Sequence, residues 1–233
     1  MTPKLLLRLD LTAALLLVAS VVFSATQPPL ALCGGLDRRY PPILAFEFAR
    51  SVADLHALFG PAPGACRSAV VVKLDLINWL DTALFIPIYG AFLAFGVLSL
   101  RARHPALARW AVVLTLSACC ADYLENACLL QLSAAPDVAS GWLALLAWAT
   151  GVKWVLLGVV GVLASRLVSE RRGLTALCVA GLAIVVLALA VPAKFGRFAT
   201  LGVSVSWLML LVAVVRVWWL GRRGAAPLPV SSD

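Results

Sequence analysis

The chain has 233 residues, 63% of them hydrophobic and 13% charged, with a formal net charge of +8. Soluble domains carry roughly 45–50% apolar and about 25% charged residues, so these proportions exclude an ordinary soluble domain and describe a polytopic membrane protein. The Lys and Arg residues cluster between apolar runs, with no zinc-finger spacing and no basic helix bearing interleaved aromatics. The charge therefore reports topology and lipid headgroups, and nucleic acid is not an expected partner.

Six runs come near the length of about 20 apolar residues that crosses a bilayer: residues 6–24, 74–100, 106–133, 141–165, 174–192 and 198–220. The expected fold is an all-α, six-span transmembrane bundle forming a single integral domain over residues 1–233, with a short helical cap between spans one and two. Lys4 and Arg8 precede the first run as in a signal peptide. Asp10 opens the stretch, however, and Phe23-Ser24-Ala25 is a poor small-x-small cleavage site, so the run reads as a retained anchor with Asp10 at the interface.

Residues 25–73 form the longest connection, too short and too apolar to stand alone. From Pro42 to Gly60 it is helical in pattern. Leu44, Phe48, Val52, Leu55 and Phe59 recur at three- and four-residue spacing and make one apolar stripe, with Glu47, Arg50, Ser51 and Asp54 off it. Ser51-x-x-Asp54 has the form of a capping box, which predicts two short helices with a break near Arg50. Gly60-Pro61 ends the second. This segment is expected to cap the bundle or lie on the membrane surface. A sharper alternative makes it a lid. His56 reads as an exposed helical residue. With His56 and His104 as the two histidines of the chain, no metal centre is expected.

The second run places Asn78, Asp81, Thr82, Phe85 and Tyr89 on one helical face, with Pro87 inside the span to kink it. The third carries Asp122, Glu125 and Asn126 at i, i+3 and i+4. The fourth has Lys153 alone among Trp, Val, Leu and Gly, with Gly151, Gly158 and Gly161 suited to close helix packing. The fifth run is bland. The sixth holds Ser204 and Ser206 and ends in an interface belt of Arg216, Trp218 and Trp219.

Orientation follows from the basic residues. Lys4, Arg8, Arg101, Arg103, Arg109, Arg166, Arg171, Arg172, Arg216, Arg222 and Arg223 share one side, 11 in all. Arg38, Arg39, Arg50, Arg67, Lys73, Lys194 and Arg197 make 7 on the other. Both termini are therefore expected in the cytoplasm of a bacterial inner membrane, with residues 25–73 outside. Cys33 and Cys66, the two cysteines of that outer segment, are the candidate disulfide pair.

Depth gathers the buried charges. At about 1.5 Å per residue, Asp81 lies roughly 8 Å below the outer boundary, Glu125 roughly 10 Å, Asp122 roughly 15 Å and Lys153 roughly 15–18 Å. An ionisable residue at such depth is costly and marks a candidate site with its partner nearby. Three carboxyls facing one ammonium would carry about −2 if all were ionised, so the group can hold a proton, receive a cation or bind a lipid headgroup. Asp81, Tyr89, Asp122, Glu125, Asn126 and Lys153 are the candidate binding residues. The bland alternative is that they tie helices together, at around 1 kcal/mol each.

The chain has no Gly-rich phosphate loop, no Cys-x-x-Cys, no nucleophile elbow and no Asp-rich phosphoalcohol-transfer signature. No cofactor is assigned, and enzymatic activity is left open. The strings FEFARSVADLHALFG, LDTALFIPIYG and DYLENACLL, followed by a lone Lys in the next span, resemble a group of small polytopic bacterial inner-membrane proteins of unassigned function. The likeness covers about residues 42–157. It implies a helical bundle with Asp81, Tyr89, Asp122, Glu125, Asn126 and Lys153 as the matching polar positions. Three roles stay open: binding or transport of a proton, cation or headgroup; an enzyme acting on a lipid or isoprenoid, with Asp122 or Glu125 as acid/base and Lys153 as electrostatic stabiliser; a structural or assembly subunit.

Overall fold

The structure, a computed structural model, describes residues 3–26, 33–35, 41–101, 104–138, 141–168 and 172–223. Arg38, Arg39, Tyr40, Arg103 and Arg171 lie outside the described residues, as do the side chains of Lys4, Ser24, Arg172, Arg197, Ser206, Arg216, Trp218, Trp219, Arg222 and Arg223.

Among the described residues all regular structure is helical. The order is α1 (Pro3–Thr26), α2 (Pro42–Glu47), α3 (Val52–Phe59), α4 (Ala65–Leu80), a π-helical turn (Asp81–Phe85), α5 (Ile86–Ser99), α6 (Pro105–Ala134), α7 (Gly141–Val168), α8 (Arg172–Ala190), α9 (Pro192–Phe195), a 3₁₀ turn (Gly196–Phe198) and α10 (Ala199–Arg223). Among the described residues four helical stretches are both long and apolar enough to cross a membrane: Ala65–Ser99, Pro105–Ala134, Gly141–Val168 and Gly173–Ala190. Six were expected. The first and last runs form helices of 24 and 25 residues that are not among these four.

The helices close into a bundle. α1 packs on α5, α5 on α6, α6 on α7, α7 on α8 and α8 on α10, while α10 also reaches α7, α5 and α1. Large apolar side chains face outward: Trp79, Trp110, Trp148 and Leu208 are 59%, 63%, 58% and 62% exposed. Water would penalise such a surface; hydrocarbon does not. One close approach needs glycine: a Cβ on Gly181 would lie 2.3 Å from the Gly202 carbonyl oxygen. A Cβ on Gly158 would lie 2.6 Å from Leu182 Cδ1, the movable end of a side chain. Gly151, by contrast, meets nothing within 4 Å, so the packing role expected of it is not used.

One end of the bundle is capped by α2 and α3. Pro42 starts α2, where its missing N–H costs nothing. The chain breaks after Glu47 and restarts at Ser51. There the Ser51 hydroxyl accepts from Asp54 N–H at 3.2 Å, and Asp54 Oδ2 accepts from Ser51 N–H at 2.9 Å. Gly60 ends α3 with φ +85°. Phe46, Leu55, Leu58 and Phe59 are fully buried against the bundle end, so the pair packs down rather than floating over it. Cys33 and Cys66 are bridged, 33 residues apart with Cα atoms 5.9 Å apart. Arg67 donates to Asp137 Oδ1 at 2.9 Å, and His56 Nε2 lies 2.7 Å from the same oxygen. This ties α3 and α4 to the α6–α7 loop. His56, expected to be exposed, is half-buried and takes part in that clamp.

Candidate functional site

The second run does not continue as one regular helix. Pro87 has no N–H to give the carbonyl four residues back and crowds it. Between Asp81 and Phe85 the helix widens so that Ile86 N–H reaches the Asp81 carbonyl, five residues back. One extra residue per turn rotates α4 by roughly 100° relative to α5. Such widened turns occur frequently at functional sites. This one lies at the point where Asp81, Phe85 and Tyr89 enter a common cavity.

Lys153 of α7 is the centre of the charged group. Its ammonium pairs with Asp122 Oδ1 at 3.1 Å, with Glu47 Oε2 at 3.2 Å and, more closely, with Glu125 Oε2. Lys153, Asp122 and Glu125 are buried, and the Glu47 side chain is 12% exposed. Tyr89 donates its hydroxyl to Asp122 Oδ2 at 2.8 Å. The Thr150 hydroxyl lies 2.7 Å from Glu125 Oε1 and 3.1 Å from the Glu47 carbonyl oxygen. Trp154 donates its indole N–H to Glu47 Oε2 at 3.2 Å. Burial, opposed by the attraction of Lys153, holds the Glu47 carboxyl above its usual range. Lys153 occupies the position among three carboxylates that a cation would take, and among the described residues no His/Cys/Asp/Glu group is arranged to hold a metal.

Asp81 belongs to the same cavity but not to the Lys153 ion pairs. Its Oδ2 accepts from Asn126 Nδ2 at 2.7 Å, and the same amide nitrogen reaches Thr82 Oγ1 at 3.0 Å. The six residues read from sequence thus fall into two joined parts: Tyr89, Asp122, Glu125 and Lys153 in one network, Asp81 and Asn126 in the other.

Helical spacing alone did not reveal several contributors. Glu47, read from the sequence as lying off the cap's apolar stripe, points into the bundle and supplies a fourth carboxyl. Trp154 and Trp207 line the cavity, and Thr200 and Ser204 of α10 form part of its wall. Thr200, Ser204 and Trp207 recur at helical spacing, a signal visible in the sequence. The cavity encloses about 500 Å³ between α1, α2, α4, the π-helical turn, α5, α6, α7 and α10. On its wall Asn78 is fully buried, and neither its Nδ2 nor its Oδ1 has a hydrogen-bond partner. A buried amide without partners is uncommon and costly.

The fold and site define a class: an apolar helical protein of the membrane type, built around a buried lysine–carboxylate cluster that adjoins a cavity. Compared with known protein families, curated proteins and solved structures, the chain matches none.

Proposed function

We propose that this is a six-span protein of the bacterial cytoplasmic membrane. α1 and α10 complete the span set, both termini are cytoplasmic, and the α2–α3 cap faces outward. Its cavity binds, and by extension carries, a polar or cationic group taken from the outer side. The excess of Lys and Arg in alternate connections supports the orientation. The Cys33–Cys66 bridge agrees with it, because bridges persist on the oxidising side.

One observation carries the binding role: Asn78, fully buried and unpartnered, on the wall of a cavity of about 500 Å³ that also presents Asp81. Pure helix glue would have satisfied that amide. The test is cysteine access. Cys119, Cys120, Cys128 and Cys178 are replaced by Ala, the bridge is kept, and Asn78→Cys is exposed to a membrane-impermeant thiol reagent applied from outside. Labelling in intact cells supports a cavity open to the outer side. Labelling only after detergent solubilisation removes that reading and leaves the cluster as a structural tie.

A second reading, an enzyme acting on a lipid or isoprenoid, rests on the Tyr89–Asp122–Lys153 chain of hydrogen bond and ion pair, in which Asp122 faces the cavity. Turnover of such a substrate by protein in detergent, lost in Asp122→Asn, would favour it.

A further inference from the structure

We infer that the cavity's ligand is an amphiphilic organic cation, an ammonium group carried on an apolar chain or ring. The inference rests on the reading that the cavity binds a ligand, and it names the ligand's class.

The first reason is the disposition of Lys153. An ammonium has three N–H donors. Those of Lys153 are matched by Glu47, Asp122 and Glu125. No donor remains for a phosphate or carboxylate headgroup, and an anion entering the cavity would face Asp81 and Asp122. Asp81, in contrast, commits one oxygen to Asn126, and its Oδ1 has no partner among the described residues. The charge not yet spent in the cavity is negative.

The second reason is aromatic. Phe85 and Tyr89 follow Asp81 at successive four-residue steps, and Trp207 comes across from α10. Their ring centroids are 5.7 Å (Phe85–Tyr89), 6.3 Å (Phe85–Trp207) and 5.4 Å (Tyr89–Trp207) apart. Phe23 of α1 stacks on Phe85 at 5.5 Å. All four rings line the cavity. Aromatic walls beside a carboxylate bind alkylated ammonium groups through ring quadrupoles. A small inorganic cation needs a shell of oxygens instead, which rings do not supply.

The third reason is the remaining wall. Ile43, Leu44, Leu157 and Val203 give an apolar flank, and Thr200 and Ser204 at its α10 edge are exposed. An apolar tail has a surface to cover and a way toward the outside of the bundle. Asn78 Oδ1, buried and unpartnered, can accept from a protonated amine.

The test uses full-length protein in dodecyl maltoside and a charge series followed by calorimetry. The probes are octyltrimethylammonium and octyl sulfate, both below their micellar concentrations, and tetramethylammonium, which lacks the apolar chain. Octyltrimethylammonium should bind saturably, one per chain, at least about tenfold tighter than the other two. Asp81→Asn and Trp207→Leu should each weaken it by about tenfold. Octyl sulfate binding as well as the cation, non-saturable uptake of both, or an affinity unchanged in Asp81→Asn would overturn the inference. The wild-type charge series decides the matter even if a variant fails to fold. Outside labelling of Asn78→Cys without preference for the cation would leave the binding site standing and remove only this ligand class. Absence of that labelling would remove both.

Discussion

Replacing Lys153 by Met removes the one positive charge from a group in which Glu47, Asp122 and Glu125 all contact it. Met matches the stem in length, so the loss is electrostatic and not a cavity. Taking one partner out of a buried pair costs about 3–5 kcal/mol, because an uncompensated charge stays behind. Here the carboxyls can escape part of that cost by binding protons, at about 1.4 kcal/mol for each pH unit by which their titration moves. For a chain of this size 1 kcal/mol moves the melting temperature by about 2–4 °C, so the variant should melt roughly 6–20 °C lower near neutral pH. The pH dependence follows from Glu47. Its folded-state pKa is raised above 4.5 by burial, while Lys153 opposes the shift. Above 4.5 the folded state therefore binds more protons than the unfolded one, and stability falls as pH rises through that window. Without Lys153 the window extends upward, so the deficit should be larger at pH 8 than at pH 5. Melting curves of both proteins in one detergent at the two pH values give the answer. A variant within about 2 °C of wild type at both values would mean that less than about 1 kcal/mol rests on the ammonium, which would refute the reasoning.

Other consequences can be checked separately. Reducing or deleting the Cys33–Cys66 bridge should cost about 2–5 kcal/mol of stability, and mass spectrometry of unreduced protein should find the two cysteines in one linked peptide. Two alkylatable thiols there would contradict the bridge. Asp137, held near pKa 2 by its hydrogen bonds to Arg67, contributes stability above its ordinary value of 3.8 that is lost as pH falls toward 2. Asp137→Asn should remove that acid limb from the stability profile and leave neutral-pH oligomeric state unchanged. Gly202→Leu should force α8 and α10 apart, since a Cβ there would lie 2.6 Å from the Gly181 carbonyl oxygen. Overpacking of this kind costs about 1–3 kcal/mol, measurable as a lower melting temperature that Gly151→Ala does not share.

Asp122, Glu125 and Lys153 could be read as partners because a charge in an apolar run has few explanations and helical spacing gives both face and depth. Glu47 could not. An acid beside an amphipathic stripe normally faces water, and its burial here depends on how α2 docks between α6 and α7, a long-range event no local pattern encodes. Pro87 signalled a disturbance, but not that the helix would widen at Asp81–Phe85 instead of bending. The capping box at Ser51 and Asp54 is wholly local, and it forms as its spacing predicts.

The site depends on α2 and α7 meeting through a Glu47–Lys153 ion pair, which makes the cap part of it. A double-mutant cycle of Glu47→Gln and Lys153→Met, read by thermal unfolding of the purified protein, measures that link alone. A coupling energy of about 1 kcal/mol or more is expected for residues in direct contact. Effects that add to within about 0.3–0.5 kcal/mol, as for distant and independent positions, would contradict it.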